Sequence, residues 1–521
     1  MGSMKLPIRI DCFNPEQGEK RKMFDKGFVP SRKMTLGGMG ENFPAFRRLL
    51  DQVITWHESW RHSLAQSDPP AAELTLTAEE ERALGTAIQE FLERFSNNVP
   101  LFSPRYAAQM ARDPALPAVL GYIGALLLNP NNHAYEGGPA TTEMEMEVTE
   151  SLLRMAGFEG GWGHLTSGGS LANMEALWAV RDFRKSGIVV FSRGSHYSWK
   201  RISSILRVDG LEEIDVDEHY RMDLNHLEEV LRSKNVMLVV ANLGTTGTGA
   251  IDSLSEIVRL RQRYGFHLHV DAAYGGYART VILDPEMRIL PQDSQSWLEP
   301  YVYAQLASLH FADSITIDPH KHGLSPYGAG AVLYKDERLR NVILNTAPYT
   351  YHKLDKPNIG MWTLEGSRPG ASAAAAWLTL RMIPLDVRGF GSLLSDTMRA
   401  ARDLSRRIGE VDGMVSLVRP DLDILCFFGD GEGEKRLSRI NERTEGVYRI
   451  LSIENPRAPF ILSKLVLTGQ PLKKLFAGYE IDAERVSVMR GVFLKPYMRS
   501  YGTTSYTEKL LTALRDALPR E

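Results

Sequence analysis

Apolar positions in the first hundred residues recur at intervals of three and four. FPAFRRLLDQVITWHESW (43–60) and AEEERALGTAIQEFLERF (78–95) therefore read as helices with one apolar face each. Such a face needs cover, either from the rest of the chain or from a second subunit. The longest apolar run, LPAVLGYIGALLL (116–128), is too short to cross a bilayer and reads as a buried helix.

From about residue 150 to 345 the period changes. GIVVFS (187–192), VMLVVANL (236–243), FHLHV (266–270) and SITID (314–318) are short β-rich runs that read as strands buried on both faces. Helical stretches such as SLSEIVRLRQRYG (253–265) lie between them. Strand, helix, strand at this rhythm predicts an α/β domain with a mostly parallel sheet, in which ligands gather at the carboxyl ends of the strands. From about 385 to 521 a long helix, FGSLLSDTMRAARDLSRRIGE, precedes the strand candidates LDILCFF, FILSKLVL and VSVMRGVFL, and YTEKLLTALRDAL closes the chain. The expected organisation is a helical N-terminal segment (1–100), a large domain (101–384) and a small α+β domain (385–521). Thr346 to Gly370, with Pro348, Pro357 and Pro369, is the expected long irregular loop.

Composition narrows the function classes. The 521 residues are 43% hydrophobic, enough for a sizeable core, and carry a net charge of -3. That balance offers no electrostatic attraction to nucleic acid or to an anionic membrane. Cys12 and Cys426 lie far apart and form no CxxC or zinc spacing, which suits a reducing cytoplasm. Met1–Ser3 reads as a tag remnant, and no basic-then-apolar secretory pattern follows it.

The chemistry-bearing residues stand at strand ends. In SITIDPHKHGL (314–324) Pro319 ends the ladder and Lys321 follows at once, a place that suits a reactive amine as well as a surface lysine. HLHVDAAYGGYA (267–278) ends its strand on Asp271, with small residues after it, so Asp271 is a buried carboxylate or a turn cap. HLTSGGSLANMEALWAV (164–180) runs a glycine and hydroxyl loop into a helix, which makes an anion site or a simple N-cap. FSRGSHYSWKR (191–201) puts His196 just past another strand. An amine, a carboxylate, a flat ring and a phosphate cradle from four strand ends together match the needs of pyridoxal phosphate.

In FSPRYAAQM, NPNNHAYEGGPATTEMEMEV, TSGGSLANMEALWAVR, HYSW, LHVDAAYGGYARTVILD, DSITIDPHKHGLSPYGAGAVLYKD and EGSRPGASAAAAWLTLRMIPLDVRGFG the chain resembles the group II pyridoxal-phosphate amino acid decarboxylases, the bacterial tyrosine and aromatic ones above all. The resemblance implies fold type I, the aspartate aminotransferase-like fold. It casts Lys321 as the Schiff-base lysine, Asp271 as partner of the ring nitrogen, His196 and Ala273 as the two faces of the ring site, and Gly169, Ser170 and His320 as phosphate contacts. Thr246 is placed near the ring hydroxyl and substrate carboxylate, and Ser367 at a neighbouring subunit's phosphate. The proton donor is expected at Tyr351, with Tyr349 the alternative, and the side-chain pocket at Gln109 and His133. His322 and Leu324 stand where the bacterial tyrosine decarboxylases carry Met and Tyr. The implied protein is a homodimeric L-amino acid decarboxylase with the site shared between subunits and no metal. An aromatic substrate leads, with acidic, sulfur-containing or aliphatic substrates, oxidative deamination to an aldehyde, and aldol-type cleavage as rivals.

Overall fold

The structure, a computed structural model, describes residues 33–65, 74–347, 350, 355–430, 435–495 and 505–518. Its larger sheet has seven strands: β1 (Trp162–Thr166), β2 (Ile188–Ser192), β3 (Leu211–Ile214), β4 (Val236–Asn242), β5 (His267–Asp271), β6 (Ser314–Ile317) and β7 (Gly330–Tyr334), in the order β1-β7-β6-β5-β4-β2-β3. Neighbours from β3 to β6 are parallel, and β7 runs antiparallel to both β6 and β1. Only β7 is reversed, so β1, β2, β4, β5 and β6 all present their carboxyl ends at one edge. The protein thus has the mixed, mostly parallel α/β architecture its strand rhythm predicts.

Burial on both faces explains the uninterrupted apolar runs. Val239 and Ala241 of β4 pack into a cluster with Leu254, Ile257 and Val258, whereas Leu238 and Val240 join Leu177, Val180 and Trp199 on the opposite face. β1, β3 and β7 are the strands that alternation does not flag. WGHLT and GAVLY contain glycine and little polar alternation, and LEEI is a short, charged edge strand.

The smaller sheet is antiparallel throughout, in the order β10-β11-β9-β8, from β8 (Met414–Ser416), β9 (Ile424–Gly429), β10 (Ser463–Thr468) and β11 (Arg485–Val492). It is tied to the larger one by charge. Arg221 pairs with Asp421 at 2.7 Å, and Asp421 Oδ2 also accepts from the backbone N–H of Ile251 at 2.9 Å. Arg490 of β11 donates to the carbonyls of Thr246 and Gly247 at 2.8 and 2.9 Å.

The N-terminal helices are Phe43–Leu64 and Ala78–Phe95. The second opens on a Thr77/Glu80 capping box, and none of its residues is buried, leaving Leu84, Ile88, Phe91 and Phe95 exposed. The helix Leu116–Leu126 differs from the expectation of a wholly buried element. Leu116, Pro117, Ala118 and Leu120 are buried, but Leu126 is 50% exposed. Its cover comes from the helix Gly370–Met382 and from Phe43–Leu64, through His57 Nε2 to Gly124 O at 2.7 Å, and its C-terminal end projects past them. Among the described residues no helix is long and apolar enough to cross a membrane. The described part of 346–370 holds one short 3₁₀ turn, Ile359–Trp362.

Candidate active site

A cavity of about 450 Å³ opens at the carboxyl edge of the larger sheet, and Gly169, Ser170, His196, Thr246, Asp271, Ala273, His320 and Lys321 all line it. Residues from five strand ends (β1, β2, β4, β5 and β6) therefore meet, as parallel strands with a common carboxyl edge require.

Asp271, the last residue of β5, is 7% exposed. Its Oδ2 accepts from Asn173 Nδ2 at 2.8 Å and from Trp199 Nε1 at 3.0 Å. The Ala273 backbone N–H donates to Asp271 Oδ1 at 3.3 Å, so three neutral donors hold the carboxylate while leaving it able to accept from a cation in the cavity. Behind it the polarity is continuous. Asn173 spends its N–H on Asp271, so its Oδ1 must accept from His269 Nε2 at 3.1 Å, and His269 Nδ1 then accepts from the Ser314 hydroxyl at 2.8 Å. Ser314 in turn accepts from His267 Nε2 at 2.9 Å. Burial pushes His269 down to about 3 and His267 down to about 4, so both rings are neutral and each hydrogen-bond direction is set.

Lys321 Nζ lies 3.0 Å from Asp318 Oδ2, and His320 Nε2 lies 3.4 Å from the same oxygen. Asp318 Oδ1 and His320 Nδ1 are buried without a partner. His196 is half-buried, and its Nδ1 accepts from the Ser198 backbone N–H at 3.3 Å. Burial lowers its pKa, opposed by Asp271 and helped by Lys321, which leaves a neutral flat ring.

The helix Gly169–Arg184 begins at the cavity with no acidic residue in its first turn and no side-chain cap, which leaves the N–H groups of Gly169 and Ser170 for an anion. Glycine is required there by packing: a Cβ on Gly169 would lie 2.9 Å from Asp318 Oδ2 and 3.1 Å from the Ala273 Cβ. Ser167 at the rim donates its backbone N–H to Glu365 at 3.2 Å.

These features fit pyridoxal phosphate. A primary amine, a carboxylate held open for a ring nitrogen, a neutral ring opposite the small Ala273, and an uncapped helix start beside an unpartnered His320 nitrogen face one space.

The remaining expected residues sit elsewhere. Gln109 and Ser367 are exposed, His133 is partly buried against Gly360, and none of the three lines the cavity of its own chain. Tyr349 and Tyr351 lie outside the described residues. Sequence reading put His269 on the same strand face as Asp271 but did not single out Asn173, Trp199, Asp318 or Arg490. Three of these had a weak signal in spacing: Asn173 is one helical turn past Gly169, Trp199 three residues past His196, and Asp318 three before Lys321.

The family described as "Pyridoxal-dependent decarboxylase conserved domain" matches residues 72–428. An L-tyrosine decarboxylase of Enterococcus faecalis is 28% identical, over 96% of this chain and 99% of its own length. An L-aspartate decarboxylase of Thermococcus kodakarensis is also 28% identical, over 69% of this chain and 88% of its own. Among solved structures, Oryza sativa TDC with PLP and tryptamine superposes with a TM-score of 0.69 at 16% identity, covering 92% of this chain and 97% of that one.

Proposed function

This chain belongs to the pyridoxal-dependent decarboxylase family and is a PLP-dependent amino acid decarboxylase, and from that premise we propose that it converts an aromatic, tyrosine-like L-amino acid to its amine and CO2. The observation that carries the reading is the charge of the cavity. Among its described lining residues Lys321 is the one permanent cation, and in this chemistry that amine is committed to the cofactor. An acidic side chain would enter without a partner cation, at the desolvation cost of a buried charge, whereas a ring bearing one hydroxyl needs only hydrogen bonds. The tyrosine decarboxylase relative, aligned over nearly the full length of both chains, supports the same choice.

Pyridoxal phosphate, when bound, supplies a carbonyl for the amine of the substrate and a ring that accepts the electrons left by the departing carboxylate. Lys321 would hold that carbonyl through its side-chain amine, and Asp318 is the counter-ion 3.0 Å from that amine. Asp271, steadied by Asn173 and Trp199, keeps a proton on the ring nitrogen. His196 covers one ring face and Ala273 leaves room at the other. The uncapped start of Gly169–Arg184, with Ser170 and His320, receives the phosphate. Thr246, whose carbonyl is braced by Arg490, faces the substrate carboxylate.

Proton delivery at the substrate Cα is assigned to Tyr351, with Tyr349 second, in a loop whose closure excludes water. The same reading makes the protein a homodimer in which Gln109, His133 and Ser367 serve the neighbouring subunit's site. Their positions outside the cavity of their own chain, and the uncovered apolar face of Ala78–Phe95, support it.

The test is a panel of L-amino acids incubated with the holoenzyme, with amine, aldehyde and CO2 measured together. Tyrosine or a related aromatic should yield amine and CO2 in equal amounts. Aspartate or glutamate as the best substrate overturns the aromatic reading, and aldehyde as the main product overturns simple decarboxylation.

A further inference from the structure

A second cavity, of about 480 Å³, lies where the loop around Trp297 meets the helix Phe390–Arg407 and the start of the closing helix Tyr506–Ala517. None of its described lining residues lines the cofactor cavity.

Guanidinium groups dominate it. Arg399 and Arg402, one turn apart on Phe390–Arg407, set their guanidinium carbons 4.6 and 5.7 Å from the centre of the Trp297 ring. Arg406 and Arg419 also line it, each paired with one of its two carboxylates, Arg406 with Asp403 at 2.9 Å and Arg419 with Glu299. Among the described lining residues, four positive groups stand against two negative ones in a chain whose net charge is -3.

Arg402 is the most confined of the four, 7% exposed, and its Nε has no hydrogen-bond partner. Its other nitrogens donate to the carbonyls of Trp297 and Asp421 at 3.1 and 3.3 Å. Burial lowers its pKa, Glu299 and Asp421 oppose that, and the like charges of Arg419 and Arg399 add to it. Guanidiniums held within range of one another are in repulsion that an anion between them would relieve.

A second feature points the same way. Ser505 and Thr507 line the cavity, and Ser505, at the N-cap of the 12-residue helix Tyr506–Ala517, makes no side-chain cap. The one acidic residue in that first turn, Glu508, is engaged by Arg407 at 2.6 Å. The positive end of the helix therefore adds to the field of the arginines.

We propose that this cavity binds a small polyvalent oxyanion, a phosphate- or polycarboxylate-bearing metabolite, at the junction of the two sheets' domains. The ligand bridges Arg399, Arg402 and Arg419 and accepts from the start of Tyr506–Ala517, joining elements of both parts of the chain.

The experiment is calorimetric titration of the pyridoxal-phosphate-saturated protein with inorganic phosphate, pyrophosphate and citrate, against sodium chloride at matched ionic strength. Saturation of the cofactor keeps its own phosphate site from contributing. At least one of the three should bind saturably at one per chain and raise the melting midpoint. Binding of the phosphates without citrate assigns a phosphorylated ligand, and citrate alone assigns a polycarboxylate. Arg399 is exposed and the Arg419 side chain is 61% exposed, so an Arg399→Ala/Arg419→Ala variant keeps the fold, with imine absorbance and turnover unchanged. It should weaken the binding at least tenfold. Absence of saturable binding by all three anions, or equal affinity in the variant, overturns the proposal.

Discussion

Asn173 Nδ2 donates to Asp271 Oδ2 at 2.8 Å, and the orientation of that amide is dictated by His269, whose Nε2 donates to its oxygen at 3.1 Å. The acid is thus aimed by a buried relay that starts at His267, on the same face of β5. A carboxylate so held is already arranged for a cationic ring nitrogen, with no reorganisation required at the moment of reaction.

Asp271→Ala should reduce kcat by at least about 10²–10³-fold, because the group that sustains the ring proton is gone. Circular dichroism should be unchanged, and a cofactor titration should still show binding, weaker than wild type.

Asn173→Leu removes one of the two side-chain donors to Asp271 and leaves His269 Nε2 with only the Thr316 hydroxyl, 3.4 Å away, in a fully buried site. The expected loss in kcat/KM is about 10–100-fold, the scale on which orienting partners act. Full activity in this variant would assign the orientation of Asp271 to Trp199 and the Ala273 backbone N–H.

Gly169→Ala forces a methyl group to within about 3 Å of Asp318 and the Ala273 Cβ, neither of which can retreat from a packed strand end. Overpacking of this kind costs about 1–3 kcal/mol. It should appear as a raised dissociation constant for pyridoxal phosphate, read from imine absorbance, with a smaller drop in melting temperature.

His267 is neutral in the fold, its pKa pushed by burial from 6.5 to about 4. The unfolded chain binds its proton below pH 6.5 and the folded chain does not, so this contribution is complete above 6.5 and is lost as pH falls toward 4. The shift corresponds to roughly 3 kcal/mol. His267→Gln should flatten the slope of melting temperature against pH across that window, which differential scanning calorimetry will read directly.

His322 stands beside Lys321 and is 4% exposed, its Nε2 3.5 Å from Asp423 Oδ2. Asp423 belongs to the approach to β9 and also accepts from the Tyr274 hydroxyl at 2.6 Å. His322→Met leaves the fully buried Asp423 with less compensation and should destabilise the protein by about 3 kcal/mol in urea unfolding.

Much of the site was readable because its residues adjoin the strongest local patterns. Lys321 and His196 come just after short β-rich runs, Asp271 ends one, and Gly169 opens a helix after another strand, so position at a strand end could be inferred without knowing which strands are neighbours. The partners were not readable in the same way. Asn173 and Asp271 are 98 residues apart and Trp199 and Asp271 are 72 apart, and no local periodicity relates them. Arg490 reaches the Thr246 carbonyl across 244 residues and between two sheets.

Local sequence by itself therefore determined the elements: buried strands from unbroken apolar runs, helices from three-and-four spacing, and reactive groups at the points where strands stop. Tertiary structure alone decided the insertion of the reversed strand β7 between β1 and β6, the neutral relay behind Asp271, and the gathering of arginines around Trp297. The physical reason is range. Backbone preference and amphipathicity act over a few residues, whereas desolvation, hydrogen-bond direction and charge repulsion depend on which distant segments are packed together.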